Sequence, residues 1–279
     1  MEQSGIKVSR WVVRQLLKKY NYVKRKSQKL IAGGSGEFRN EQFENISKKR
    51  VDFTITGDPI ISMDTKKKEL IGKYSRGNDA IYGTKAERVN DHDFKKKNGV
   101  VGIPHGIYDE KYKHGHIMVG NSHDTSEFAC DCIKNWWLNI GCITYRSSCR
   151  LLIVCDGGGS NSSRHYIFKE DLQKLAIELN IDITIAHYPP HCSKWNPIEH
   201  RLFPHVSSAL KRGAAINSID HMVEKIKRTK TKTGISVSVF KTTKVYSIGR
   251  KYTEGFKENN KIVFDEYLPL WNYTAKANP

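Results

Sequence analysis

Apolar positions at helical spacing open the chain: Val8, Trp11, Val12, Leu16, Leu17 and Tyr20 recur, Ser9 stands as a cap, and Arg10, Arg14, Lys18 and Lys19 occupy the other faces. The pattern predicts a basic amphipathic helix within 8–30. Ala32-Gly33-Gly34-Ser35-Gly36 then reads as a flexible break, and 40–50 as a short amphipathic helix leading into a second domain. Beyond it the period shortens. Residues 60–64 and 68–72 predict two strands joined by a basic turn, and 99–108 and 116–120 two more. Between them, 73–98 is polar and predicts a long exposed loop.

From Asp124 the pattern turns helical again. Asp124-Thr125-Ser126-Glu127 precedes Phe128, Ala129, Ile133, Trp136, Trp137 and Ile140, a capped helix ending at Gly141. Residues 151–155 form a continuous apolar run of buried-strand type, 164–180 carries Ile167, Leu172, Leu175, Ala176 and Leu179 at helical spacing, and 181–186 is a further strand. Strand, helix, strand implies parallel neighbours. After Pro189-Pro190, a helix over 198–210 starts at Pro197 and is kinked at Pro204. Residues 216–227 read as helix, 234–248 as strands, and Leu268, Leu270, Trp271 and Tyr273 as a segment that packs back onto the domain. The boundary is drawn near residue 50: 1–50 a basic helical segment, 51–279 the larger domain.

Composition narrows the class. With 279 residues, 38% of them hydrophobic, the chain can bury a sizeable core, and no run approaches the roughly 18–20 apolar residues of a membrane span. The first ten residues lack a secretory apolar run, which places the protein in the cytoplasm, with no membrane partner. Six cysteines form no Cys-x-x-Cys pair, so reduced, mostly buried thiols are expected. A net charge of +18 is what a protein working on a polyanion carries, and nucleic acid is the leading partner; Lys48-Lys49-Arg50, Lys66-Lys67-Lys68 and Lys95-Lys96-Lys97 also read as ordinary solvated loops.

Three acids stand where apolar runs stop. Asp64 follows Pro59-Ile60-Ile61-Ser62-Met63, Asp156 ends the 151–155 run, and Glu199 opens the helix after Lys194-Trp195-Asn196-Pro197-Ile198. Each has a plain structural reading as well: a solvent-facing strand end, a turn-forming Asp before glycine, a Glu favoured by a helix dipole. Taken together they suit two divalent ions about 3.5–4 Å apart, held by acids from separated segments, with water and phosphate oxygens completing the shell. Asp64 would bridge both ions, Asp156 would hold one and Glu199 the other. The run His187, His191, Cys192, His200, His205 raises zinc as alternative chemistry, but its spacing suits a closed site poorly, and His191 and Lys194 fit a role beside DNA or in shaping the loop. Gly157 to Gly159 lacks a P-loop ending, and Ser160 lacks a nucleophile's partners.

The strings Asp64-Thr65-Lys66-Lys67-Lys68-Glu69-Leu70-Ile71-Gly72, Asp156-Gly157-Gly158-Gly159-Ser160-Asn161 and Ser193-Lys194-Trp195-Asn196-Pro197-Ile198-Glu199-His200-Arg201-Leu202-Phe203 resemble the catalytic motifs of bacterial insertion-sequence transposases of the Azo-thirteen type. These are Asp-Asp-Glu transposases of the ribonuclease-H-like superfamily, and Asn-Pro-Ile-Glu is also similar to the third-acid motif of mariner-like transposases. The segments 123–129, Trp136-Trp137 and 271–274 agree, so the resemblance spans about 8–274. It implies an α/β fold, a mixed five-stranded sheet flanked by helices with the acids clustered at one edge. It further implies Mg²⁺ or Mn²⁺, two ions, at Asp64, Asp156 and Glu199, and attack of water or a 3′-hydroxyl on a DNA phosphodiester. DNA partners would be transposon ends and target DNA, met by a homodimer or higher oligomer at the nucleoid, with Arg10, Arg14, Lys18, Lys66, Lys67 and Lys194 as DNA contacts. Family members begin with a complete helix-turn-helix, whereas this chain starts within what would be its last helix. A remnant that only binds DNA, and a related nuclease or resolvase, are therefore the alternatives.

Overall fold

A computed structural model describes residues 8–23, 25, 37–74, 88, 90, 99–211, 215–231 and 234–278. The break at 32–36 and most of the 73–98 loop lie outside the described residues. The chain divides into two compact units, Met1–Ser35 and Gly36–Pro279. In the first, α1 (Arg10–Lys19) starts where its pattern predicts, with the Ser9 hydroxyl accepting from the Val12 N–H at 3.3 Å.

The second unit begins with α2 (Arg39–Thr56), ended by Gly57 in the left-handed region at φ 77°. The residue-50 boundary falls inside this helix. α2 belongs with the larger unit, because Ile46 and Phe53 are buried against Leu152, Val154, Ala186 and Tyr188. β1 (Ile60–Thr65) comes next, then the two-residue β2 (Glu69–Leu70), β3 (Val101–Asp109) and β4 (His114–Gly120). β2 pairs with β3 and not with β1, so the expected 60–72 hairpin does not form.

α3 (Ser126–Trp136), capped by the Thr125 side chain, runs through a π turn at Trp137–Gly141 into the short α4 (Cys142–Thr144). β5 (Arg150–Asp156), α5 (Tyr166–Leu179) and β6 (Asp182–Tyr188) give the strand-helix-strand unit, and β5 and β6 are parallel. The helix begun at Pro197 is two helices, α6 (Pro197–Arg201) and α7 (Phe203–Lys211), which break at Leu202, just before Pro204. α8 (Ile219–Lys227), β7 (Ser236–Lys241), α9 (Phe256–Asn259), β8 (Ile262–Phe264) and β9 (Asn272–Ala275) complete the described residues.

The sheet order is β7-β4-β3-β1-β5-β6-β9-β8. Its centre, β4-β3-β1-β5-β6, is the five-stranded mixed sheet implied by the resemblance: β1, β3 and β4 antiparallel, β5 and β6 parallel to β1. β7 covers the β4 edge and the C-terminal β9 and β8 cover the β6 edge, which leaves no central strand with an open ladder. Alternation divides the strands between two faces. Ile61, Met63, Ile153, Cys155 and Ile185 pack under α3 and α5. Ser62, Asp64, Leu152, Val154 and Asp156 are out of phase with them and point to the opposite face, where α2 covers Leu152 and Val154, and α6 and α7 pack with β3 and β4 residues. The described cysteines are unpaired: Cys130, Cys132, Cys155 and Cys192 are buried, while Cys142 and Cys149 are exposed. Among the described residues no helix is long and apolar enough to cross a membrane.

Candidate active site

Parallel pairing sets the first two acids side by side. Met63 is opposite Cys155, so Asp64 and Asp156 are the next step of the same register, at the C-terminal ends of the two central strands. The edge they share is therefore formed by strand ends, not by an outer strand. The Asp156 carbonyl accepts from Asn161 Nδ2 at 3.1 Å, which holds the glycine turn after the strand. Asp64 Oδ1 accepts from the Thr65 N–H at 2.7 Å.

Glu199 arrives on α6, and the way α6 is tied to β1 is not legible in the sequence. Asn196 precedes the helix and would ordinarily cap it. Here its fully buried amide reaches into the sheet: Oδ1 accepts from the Ser62 hydroxyl, and Nδ2 donates to the Met63 carbonyl at 3.1 Å. The cap is supplied from outside the helix, by Ser62 Oγ, which accepts from the Ile198 N–H at 3.0 Å. Gly106, opposite Asp64 on β3, allows the close approach, since a Cβ there would lie 2.7 Å from Phe203 and 2.9 Å from Ile198 side-chain carbons. The available signal was Asn196 itself, a capping residue followed by proline at the first helical position.

The three carboxyls interact. Burial, a hydrogen bond with the Glu199 carboxyl and the negative charge of Asp156 push Asp64 up to about 8. Burial and the charge of Glu199 push Asp156 up to about 6, and Asp156 Oδ1 is buried without a hydrogen-bond partner among the described residues. Both shifts reflect negative charge crowded at one partly buried place, where a cation would be stabilised. Among the described residues no group of three or more His, Cys, Asp or Glu side chains is close enough by itself to hold a metal ion. Mg²⁺ does not require such a group, as it keeps several waters and substrate oxygens. An all-oxygen set with surplus negative charge and an orphaned carboxylate oxygen fits Mg²⁺ or Mn²⁺.

The zinc alternative is not assembled. His187 is buried with both ring nitrogens engaged, Nδ1 with the Asp156 carbonyl at 3.2 Å and Nε2 with the Tyr273 hydroxyl at 3.0 Å, and burial pushes its pKa down to about 3. Cys192 is buried in the apolar layer under α2, whereas His191 and His200 are exposed.

Of the six cations assigned to DNA, Arg10, Arg14 and Lys18 are exposed on α1, and Lys67 and Lys194 are exposed on the larger unit. Lys66 differs: it is 7% exposed and its ammonium pairs with Glu69 at 2.7 Å, so its charge is already neutralised. Thr65, next to Asp64, donates to Asp124 at 3.1 Å, which ties the 123–129 motif to the same strand end.

A mixed α/β sheet that brings two aspartates on adjacent parallel strands near a glutamate on a following helix is the arrangement the resemblance implies. The family model described as the Rhodopirellula transposase DDE domain matches residues 1–277, and the chain belongs to that family. Among solved structures, it is similar to a Mos1 transposase paired-end complex with the left transposon end, at 12% identity over 76% of this chain and 60% of that one, TM-score 0.48. The Mos1 strand transfer complex is similar at 15% identity over 78% and 61%, TM-score 0.49, and a pre-cleavage Mos1 transpososome at 12% over 80% and 64%, TM-score 0.49. The chain thus spans about three-fifths of the length of these proteins. No curated protein matches.

Proposed function

We propose that the chain is the catalytic part of a transposase that cleaves DNA at the ends of an insertion sequence and joins them to target DNA. The observation that carries this reading is the meeting of Asp64, Asp156 and Glu199 at the strand ends of a sheet in a DDE-family chain. These acids would hold two divalent ions, Mg²⁺ or Mn²⁺; one of the solved relatives is a Mos1 mariner paired-end complex with Mn. Bound there, the ions supply charge stabilisation at the attacking and leaving oxygens of the phosphodiester.

The protein's own groups do the positioning. Asp64 and Asp156 are fixed by the β1–β5 register, Glu199 by the Ser62–Asn196 contacts, and all three present oxygen ligands from a rigid strand-end platform. Positive charge at the site would favour the ionised form of Asp64, whose pKa burial and the neighbouring acids otherwise push up to about 8. Lys67 and Lys194 are exposed cations for the phosphodiester backbone, with Arg10, Arg14 and Lys18 on the separate N-terminal unit. Attack is by water for cleavage and by a 3′-hydroxyl for joining. The substrates are element ends and target DNA, bound by two or more copies of the chain.

Replacing Asp156 by Asn should abolish Mg²⁺-dependent cleavage and joining of element-end DNA while DNA binding persists. Undiminished cleavage in Asp156→Asn would sink the reading. Efficient cutting of branched junctions with element ends left intact would instead favour a ribonuclease-H-like resolvase, and binding without cleavage by the unaltered chain a DNA-binding remnant.

A further inference from the structure

Four residues before Glu199, on the exposed 3₁₀ turn Ser193–Trp195, the Trp195 side chain remains 55% exposed although the residues flanking the turn, Cys192 and Asn196, are buried. Exposing a tryptophan forgoes a large burial gain, and this one does so four residues along the chain from Glu199. Trp195 is held in place by other rings. Phe43 on α2 meets it edge-on, centroids 5.9 Å apart at 71°, and Phe43 in turn packs on Tyr188 at 6.1 Å. Tyr188 is the register partner of Asp156, so this aromatic row starts beside a catalytic acid and ends at an open indole. The Lys194 ammonium lies 5.5 Å from the indole centroid, adding positive charge to the apolar ring.

We propose that Trp195, with Lys194, is a stacking site for an unpaired nucleobase next to the phosphodiester being cut. The chemistry is specific in kind. A braced aromatic plane favours the π face of a base, a neighbouring ammonium favours the phosphate attached to it, and the chain's net charge of +18 draws in the polyanion. At 55% exposure the indole keeps surface open for a base, whereas a paired duplex offers no base face to it. Unpairing a base at an element end costs free energy, and stacking the freed base on an aromatic ring offsets part of that cost. The proposal rests on the transposase reading but adds a subsite that the three acids do not require.

The test is equilibrium binding of the full chain, without divalent metal, to a labelled deoxyadenosine oligonucleotide of about 20 nucleotides and to an abasic oligomer of equal length. Trp195→Leu, which keeps an apolar side chain against Phe43 but offers no π face, should bind the adenosine oligomer roughly tenfold more weakly and the abasic one unchanged. Trp195→Phe should recover most of the loss. Equal weakening on both oligomers, or no weakening on either, would overturn the stacking site. If Asp156→Asn abolishes cleavage while Trp195→Leu binds like the parent chain, the stacking site fails and the transposase reading stands. Selective loss of base binding in a chain that never cleaves leaves the stacking site and removes the transposase reading.

Discussion

Asp64 carries the most consequential physical chemistry in the chain. Its pKa near 8 and that of Asp156 near 6 both lie above the usual carboxylate value of 3.8, so the folded protein binds these protons more tightly than the unfolded chain does. Stability from this source is complete below about pH 4 and is lost as pH rises through 6 and then 8. In chelator, the melting temperature should therefore fall between about pH 5 and 8.5, and Asp64→Asn should flatten that fall and raise the melting temperature at the alkaline end relative to the parent chain. Mg²⁺ or Mn²⁺ should raise the melting temperature at pH 8 and do little at pH 4.5, where protons outcompete the metal. A flat profile in chelator, or equal metal stabilisation at both pH values, would contradict an acid cluster of this kind. Calorimetric or dye-monitored melting reads both without any catalytic assay.

At the scale of elements, the third acid depends on how α6 docks. α6 has five residues and too little surface to hold its own orientation, so its position is fixed by Ser62, Asn196 and the close approach at Gly106. Asn196→Ala strands a buried hydroxyl and the Met63 carbonyl, which should cost roughly 1–3 kcal/mol in denaturant unfolding. Single-turnover cleavage should slow by about tenfold or more, because Glu199 loses its registration with Asp64, while affinity for duplex DNA stays within about twofold. Slowed cleavage matched by lost DNA affinity would show instead that the loop, not the acid, had been disturbed. Periodicity alone makes a helix over 198–210 readable and points to Pro204 for its kink, yet the break sits two residues earlier: proline's missing N–H and ring clash act on the preceding turn, so the chain leaves the helix at Leu202.

For the molecule as a whole, charge is the property that reaches furthest. A surplus of 18 positive charges gives sequence-independent attraction to DNA through release of counterions. Affinity for an arbitrary duplex should therefore fall roughly tenfold or more between about 50 and 200 mM salt, a slope measurable by anisotropy; salt-independent binding would remove the polyanion reading. The sheet supplies the complementary property, rigidity. With β7 on one side and β9 and β8 on the other, the central strands are paired on both edges, and the acids stand on the best-supported part of the fold.

The order of apolar runs made the parallel β5–α5–β6 unit and the helix over 126–136 readable, and marked Asp64, Asp156 and Glu199 as the acids at the ends of those runs, because burial imposes a period on any chain that forms these elements. α2 runs six residues past its expected end, and the short α4 and α9 were not legible. Strand partners were not legible: a two-residue strand such as β2 leaves too short a pattern to name its neighbour, and pairing between β1 and β5 is settled by contacts made across a long stretch of intervening chain. Nor did the sequence show that Asn196 serves the sheet and not its own helix, that Ser62 caps a helix from a neighbouring strand, or that Lys66 is spent on Glu69 while Trp195 stays open. Those outcomes depend on which polar groups meet after the layers close. Periodicity is a local property written residue by residue, whereas partner choice and carboxyl protonation follow from distances and burial that exist only once the chain has folded.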